Sequence, residues 1–144
     1  YYRAVSASFM LSADNAHAVH PNHPEKTDVE NCVYMNEGIV VKAHAGQKYT
    51  SDAVSVAIFR SICEKAGVPV QFFANRSDEA GGSTLGNISS TRVSLNAVDI
   101  GLPQLGMHSA YETAGIRDTE YMVKALETFY NFHICEKKEK IFLM

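Results

Sequence analysis

Cysteine, clustered charge, long apolar runs and nucleotide-binding loops are all scarce in this chain of 144 residues. Its three cysteines, Cys32, Cys63 and Cys135, are odd in number and share no CxxC spacing. They spell neither a disulfide framework nor a zinc ribbon, and reduced thiols in a cytoplasmic protein are the expectation. No apolar run approaches the roughly 20 residues a membrane helix needs, and no signal peptide is legible. A net charge of −3 without any basic stripe offers nothing to nucleic acid. Positive charge gathers only in Lys137-Lys138-Glu139-Lys140, which reads as a solvated end. A GxSxG elbow and a legible Cys/His pairing are missing, so nucleophilic catalysis has no support, and the glycine run lacks the lysine of a P-loop.

What is present is histidine, and it is placed. The segment Ser12-Ala13-Asp14-Asn15-Ala16-His17-Ala18-Val19-His20-Pro21-Asn22-His23-Pro24 sets one carboxylate and three imidazoles close together after an apolar run. Carboxylate oxygen and neutral imidazole nitrogen are the ligands of hydrolytic zinc sites. Asp14 before Asn15 suits a turn equally well, and on the residues alone both readings stand. Pro21 and Pro24 forbid an ordinary helix that would stack His17, His20 and His23 as one cage. A further histidine, His108, follows another strand-like run in Leu105-Gly106-Met107-His108-Ser109. It reads as a ligand or as a hydrogen-bonded structural residue.

Alternating strands and helices predict an α/β layered fold. Strands are expected over Ala4 to Leu11, Gly38 to His44, Val70 to Ala74 and Leu95 to Ile100. Helices are expected from Ser51, acting as its own cap, to a stop at Gly67, then from Ser83 to Arg92 and from Asp118 to Phe132. Residues 15 to 36 read as a long polar loop of the kind that carries function. Polar sites in α/β sheets gather at the carboxyl ends of strands, where Asp14, Asp78 and His108 are expected. The run from Asp78 to Gly86 either brings backbone N–H groups toward an anion or makes a tight turn. Asp78-Glu79 offers a general base or a solvated pair. Lys42 and Tyr49 offer an ammonium and a phenol for a carboxylate, or nothing beyond a strand edge and a surface ring.

In this order the pieces resemble the aspartyl aminopeptidase family of zinc exopeptidases. The matching stretches are Ser12 to Asn22, Lys42 to Tyr49, Gly81-Gly82-Ser83-Thr84-Leu85-Gly86, Val98-Asp99-Ile100-Gly101 and Gln104-Leu105-Gly106-Met107-His108-Ser109. The resemblance runs from about Val5 to Tyr130. It implies a three-layer zinc-exopeptidase-like domain with a mixed sheet flanked by helices, and a site holding two zinc ions, with cobalt or manganese as substitutes. It implies Asp14 and His108 as metal ligands, His17, Lys42 and Tyr49 as contacts to a peptide substrate, and Asp78, Gly81, Gly82, Ser83 and Thr84 as lining. Acidic first residues, Asp or Glu, are the implied preference, and a large homo-oligomer the implied assembly.

The family draws its other ligands from an upstream His, a bridging Asp and a Glu-Glu pair, one Glu being the general base. None has a counterpart here, nor does the family's inserted domain. Residues 1–144 are therefore expected to be the C-terminal part of the catalytic domain, with no catalytic residue of their own and inactive alone. The competing readings are a non-catalytic binding module derived from that fold, and an assembly piece whose closing helix docks through Tyr121, Leu126 and Phe129.

Overall fold

Runs of β-branched residues become the buried centre of the main sheet, because strands covered on both faces need no alternation. The computed structural model describes the backbone of residues 1–137 and 140–143, so Lys138 and Glu139 of the basic tail lie outside the described residues. Four strands, β1 (Phe9–Ala13), β3 (Ile39–Ala43), β4 (Val70–Ala74) and β5 (Asn96–Gly101), form one sheet in the order β1-β5-β3-β4. β1 runs parallel to β5, and β3 parallel to β4, while β3 and β5 are antiparallel with Val41 opposite Ile100. The sheet is thus mixed. Carboxyl ends of its strands point both ways, and the expectation of one shared carboxyl edge is corrected.

Side chains alternate across such a sheet. Ile39, Val41, Val98 and Ile100 face the helices α2 (Ala53–Ala66) and α4 (Ile116–Asn131), meeting Phe59, Cys63 and Ala125 in one apolar core. The opposite face carries Val40 and Phe73, packed with Ala16, Val33 and Tyr49. The short helix α3 (Leu85–Ser90) lies on this face, where Gly86 N–H donates to Ser12 Oγ at 3.1 Å.

α2 starts one residue later than expected. Asp52, rather than Ser51, is the cap: its Oδ1 accepts from Ser55 N–H at 2.7 Å, and Asp52 N–H donates to Ser55 Oγ. This reciprocal pair satisfies two orphan donors of the first turn. Gly67 ends the helix in the left-handed conformation, φ 66°, as a glycine there should. The expected first strand splits, because Tyr2–Ser6 forms a helical turn, α1, before β1. Ser8 Oγ donates to Ala4 carbonyl, a local bond that competes with an extended chain. α4 reaches from Ile116, and its Tyr121 and Met122 pack against the core while Phe129 contacts Phe9 at 6.3 Å.

A second, smaller sheet was not expected. β2 (Ala16–His17) pairs in parallel with β6 (Pro103–Leu105), and β6 pairs with β7 (Thr113–Ala114). In the tail, β8 (Ile134–Lys137) pairs antiparallel with β9 (Lys140–Leu143).

Candidate active site

The small sheet builds the site. β2 continues from Asp14 and Asn15 at the end of β1, and its partner β6 leads directly into Met107 and His108. Asp14 N–H donates to Ile100 carbonyl at 2.9 Å, and Asn15 Nδ2 donates to Gln104 Oε1 at 2.5 Å. The two motifs that lie far apart in sequence are thereby stitched side by side.

A cavity of about 190 Å³ opens between them, lined by Asp14, His17, Lys42, Tyr49, His108 and the stretch Gly81–Thr84, among others. Five segments therefore meet at one place. Asp78 does not join them. Its carboxylate takes a two-pronged contact from Arg76, Nε to Oδ1 and Nη2 to Oδ2 both at 2.7 Å, on an exposed loop. That pairing holds the Asp78 carboxyl below its usual range and turns it away from the lining, correcting its expected place. Its neighbour Glu79 pairs with Lys26 and lines an adjoining cavity of about 320 Å³, which also takes in His17, His20 and His23.

Lys42 is the least ordinary member. It is only 2% exposed, in the middle of a central strand. Its Nζ donates to the main-chain carbonyls of Asp14 at 3.2 Å and Asn15 at 3.4 Å, and lies 5.3 Å from the Tyr49 ring centre. Burial lowers its pKa, and the charges of Asp14 and Asp99 partly oppose that. Tyr49 is buried and its hydroxyl donates to Asn75 Oδ1 at 3.4 Å. Burial raises the Tyr49 phenol pKa, and the negative charges of Asp99 and Asp14 add to it. His17 is held below the ordinary imidazole value, first by burial, then by the positive charges of His108 and Lys42.

His108 adopts the left-handed backbone conformation, φ 66°, uncommon for any residue other than glycine. Glu112 holds it there, its Oε1 accepting from His108 N–H at 2.6 Å. The imidazole is left exposed at the cavity. A Cβ on Gly81 would press on the end of the Asn75 side chain, which would have to swing aside, whereas Gly82 has open space around it. Asn75, Glu112 and Met107 were missed at the level of sequence. No local signal distinguishes them from other polar or apolar loop residues.

Asp14 and His108 supply an exposed carboxylate and an exposed imidazole to one cavity, which is the donor chemistry zinc takes. Among the described residues no three His, Cys, Asp or Glu side chains stand together as a metal-binding group. The donor chemistry of Asp14 and His108 fits a part of a zinc ligand set.

Residues 1–130 match the family described as Aminopeptidase I zinc metalloprotease (M18). The chain belongs to the M18 family, the aspartyl aminopeptidases. A probable M18 family aminopeptidase 2 from Clostridium novyi (strain NT) is 52% identical over 131 residues, which are 91% of this chain and 30% of that protein. The fold of the cryo-EM structure of the Ape4 and Nbr1 complex superposes with a TM-score of 0.86 at 36% identity, over 88% of this chain and 24% of that one. The S. cerevisiae mApe1 dodecamer gives 0.79 at 26% identity, over 90% and 28%. The chain thus spans about 30% of the length of the curated relatives it matches. No helix among the described residues is long and apolar enough to cross a membrane.

Proposed function

We infer that this chain forms the C-terminal part of the catalytic domain of a cytoplasmic zinc aminopeptidase that releases N-terminal residues, acidic ones by preference, from peptides. The observation that carries the reading is the convergence of Asp14, His17, Lys42, Tyr49 and His108 on one cavity. Asp14 and His108 would each hold one metal of a zinc pair, with cobalt or manganese as chemical substitutes. Such a pair supplies Lewis acidity and a water of lowered pKa. The remaining donors and the general-base Glu come from residues outside this chain.

The chain's own residues then orient the peptide. The Tyr49 hydroxyl and the His17 imidazole stand along the cavity wall as hydrogen-bonding groups, and Tyr49 is buried, a setting in which such bonds strengthen. The buried Lys42 ammonium biases the cavity toward negative groups, which suits an acidic first residue or an oxyanion. A dodecamer-forming relative supports a homo-oligomer as the working assembly.

Hydrolysis of peptides with N-terminal Asp, Glu or Leu, with zinc or cobalt added, tests the reading. The chain alone is expected to show no turnover. A longer protein that carries it with the remaining donors should cleave, faster at acidic residues, and lose activity to a chelator. Failure of that longer protein to cleave any peptide would favour the non-catalytic binding module.

A further inference from the structure

The stretch Val98-Asp99-Ile100-Gly101 resembles the family pattern, yet its Asp99 contributes nothing to the cavity lining. It is nevertheless fully buried, on the sheet face that carries Lys42 and Ser12. A buried carboxylate is costly unless several donors meet it. Here three do. Thr50 N–H donates to Oδ2 at 2.6 Å, Thr50 Oγ1 donates to the same oxygen at 2.9 Å, and Thr84 Oγ1 donates to Oδ1 at 2.7 Å. The main chain adds a fourth tie, Asp99 N–H donating to Ser51 Oγ at 3.0 Å.

The donors come from the two segments that wall the cavity. Thr50 and Ser51 directly follow Tyr49, and Thr84 closes the glycine stretch Gly81–Thr84. Thr84 stands where a helix cap would stand, yet its hydroxyl makes no cap bond to α3 and goes to Asp99 instead. One carboxylate on a rigid central strand therefore ties together two loops that share no strand pairing.

We propose that Asp99 is a positioning residue: it clamps the Tyr49–Ser51 and Gly81–Thr84 walls at one fixed spacing and so sets how tightly the first residue of a peptide is held. Only the identity of what is held rests on the aminopeptidase reading. A wall fixed by carboxylate bonds on one side and backbone on the other gives pre-organised donors, the condition for tight and selective contact.

Amide hydrogen exchange on this chain tests it, with Asp99→Asn, Thr84→Val and Thr84→Ser. Asp99→Asn is expected to speed exchange about fivefold to tenfold at residues 50–51 and 82–86, the effect of hydrogen bonds lost locally. Thr84→Val should speed residues 82–86 alone, and Thr84→Ser, which keeps the hydroxyl, should restore protection. Thr84→Val also serves if Asp99→Asn fails to fold. Unchanged exchange in both walls, or faster exchange throughout β1, β5 and β3 that Thr84→Ser does not repair, would overturn the proposal. In a longer, active protein carrying this chain, Thr84→Val should raise KM severalfold with kcat and metal content near those of the parent; an equal fall in kcat with KM unchanged would also overturn it. Absence of peptide cleavage by the unmodified longer protein would sink the aminopeptidase reading and leave the exchange result standing.

Discussion

The Lys42 ammonium donates to the main-chain carbonyl of Asp14, 28 residues earlier in the chain, at 3.2 Å. The side chain read at first as a contact to substrate is thus also the support beneath a metal-ligand candidate. Replacement by methionine, similar in length and uncharged, removes the donor from both carbonyls. Both bonds are partly buried, and a hydrogen bond to a charged group contributes about 1.5–3 kcal/mol, so Lys42→Met is expected to lower stability by that order. Chemical denaturation checks it, and a rise in stability would mean that desolvation of the ammonium outweighs its bonds.

Gly101 has a second claim on Asp14. A Cβ at this position would fall deep inside contact distance of the Asp14 carbonyl, which is backbone and cannot swing aside. Gly101→Ala should therefore either displace Asp14 or cost about 3 kcal/mol or more, in the range of severe overpacking. Thermal unfolding of the variant decides this, and a melting temperature equal to that of the parent would refute the close approach.

His17 titrates below 6.5 in the folded chain because burial, His108 and Lys42 all disfavour its charge. The unfolded chain takes up its proton first as pH falls. The His17 contribution to stability is therefore complete above pH 6.5 and declines as pH falls from there toward the folded pKa. Imidazole NMR titration should find a midpoint below 6.5 that moves up in His108→Ala. A midpoint that stays put would separate the two rings.

Cys63 lies in the core between α2 and the sheet, where burial pushes its thiol pKa up to about 12. The thiolate is the reactive form, so alkylation at pH 8 should leave Cys63 untouched until the chain unfolds. Peptide mapping after iodoacetamide treatment, with and without denaturant, reports it. Labelling of Cys63 in the native chain would contradict the burial.

Asp118, fully buried in the first turn of α4, accepts from Asn36 N–H at 2.5 Å and Gly38 N–H at 3.0 Å. It anchors that helix to the entry of β3. Asp118→Ala should cost about 2–4 kcal/mol through two unsatisfied N–H groups. A loss within the usual scatter of surface substitutions, measured in urea, would show that water replaces the carboxylate.

Much of the frame was legible along the chain. Val70 to Ala74 appears with the expected bounds, and β3 and α2 lie within a residue or two of theirs, because apolar runs bounded by glycine encode their own period. The errors fall where a side chain is recruited from afar. Ser51 looks like a helix cap locally, but its hydroxyl is drawn to the main chain of β5, and Asp52 takes over the role. Asp78 is the local exception: Arg76, two positions away, holds its carboxylate on an exposed loop.

By itself the sequence determined the α/β class, the central strands and helices, and the family, since these rest on local periodicity and on ordered motifs. The resemblance grouped Asp14, Lys42, Tyr49, Thr84 and His108, and the tertiary structure decided by what physical means they come to one cavity. That convergence depends on the pairing of β2 with β6, on the opposed directions of β3 and β5, and on buried polar bonds such as Thr84 to Asp99. Bonds between segments so distant form only once the chain is folded, and no local pattern of residues records which partner each donor will find.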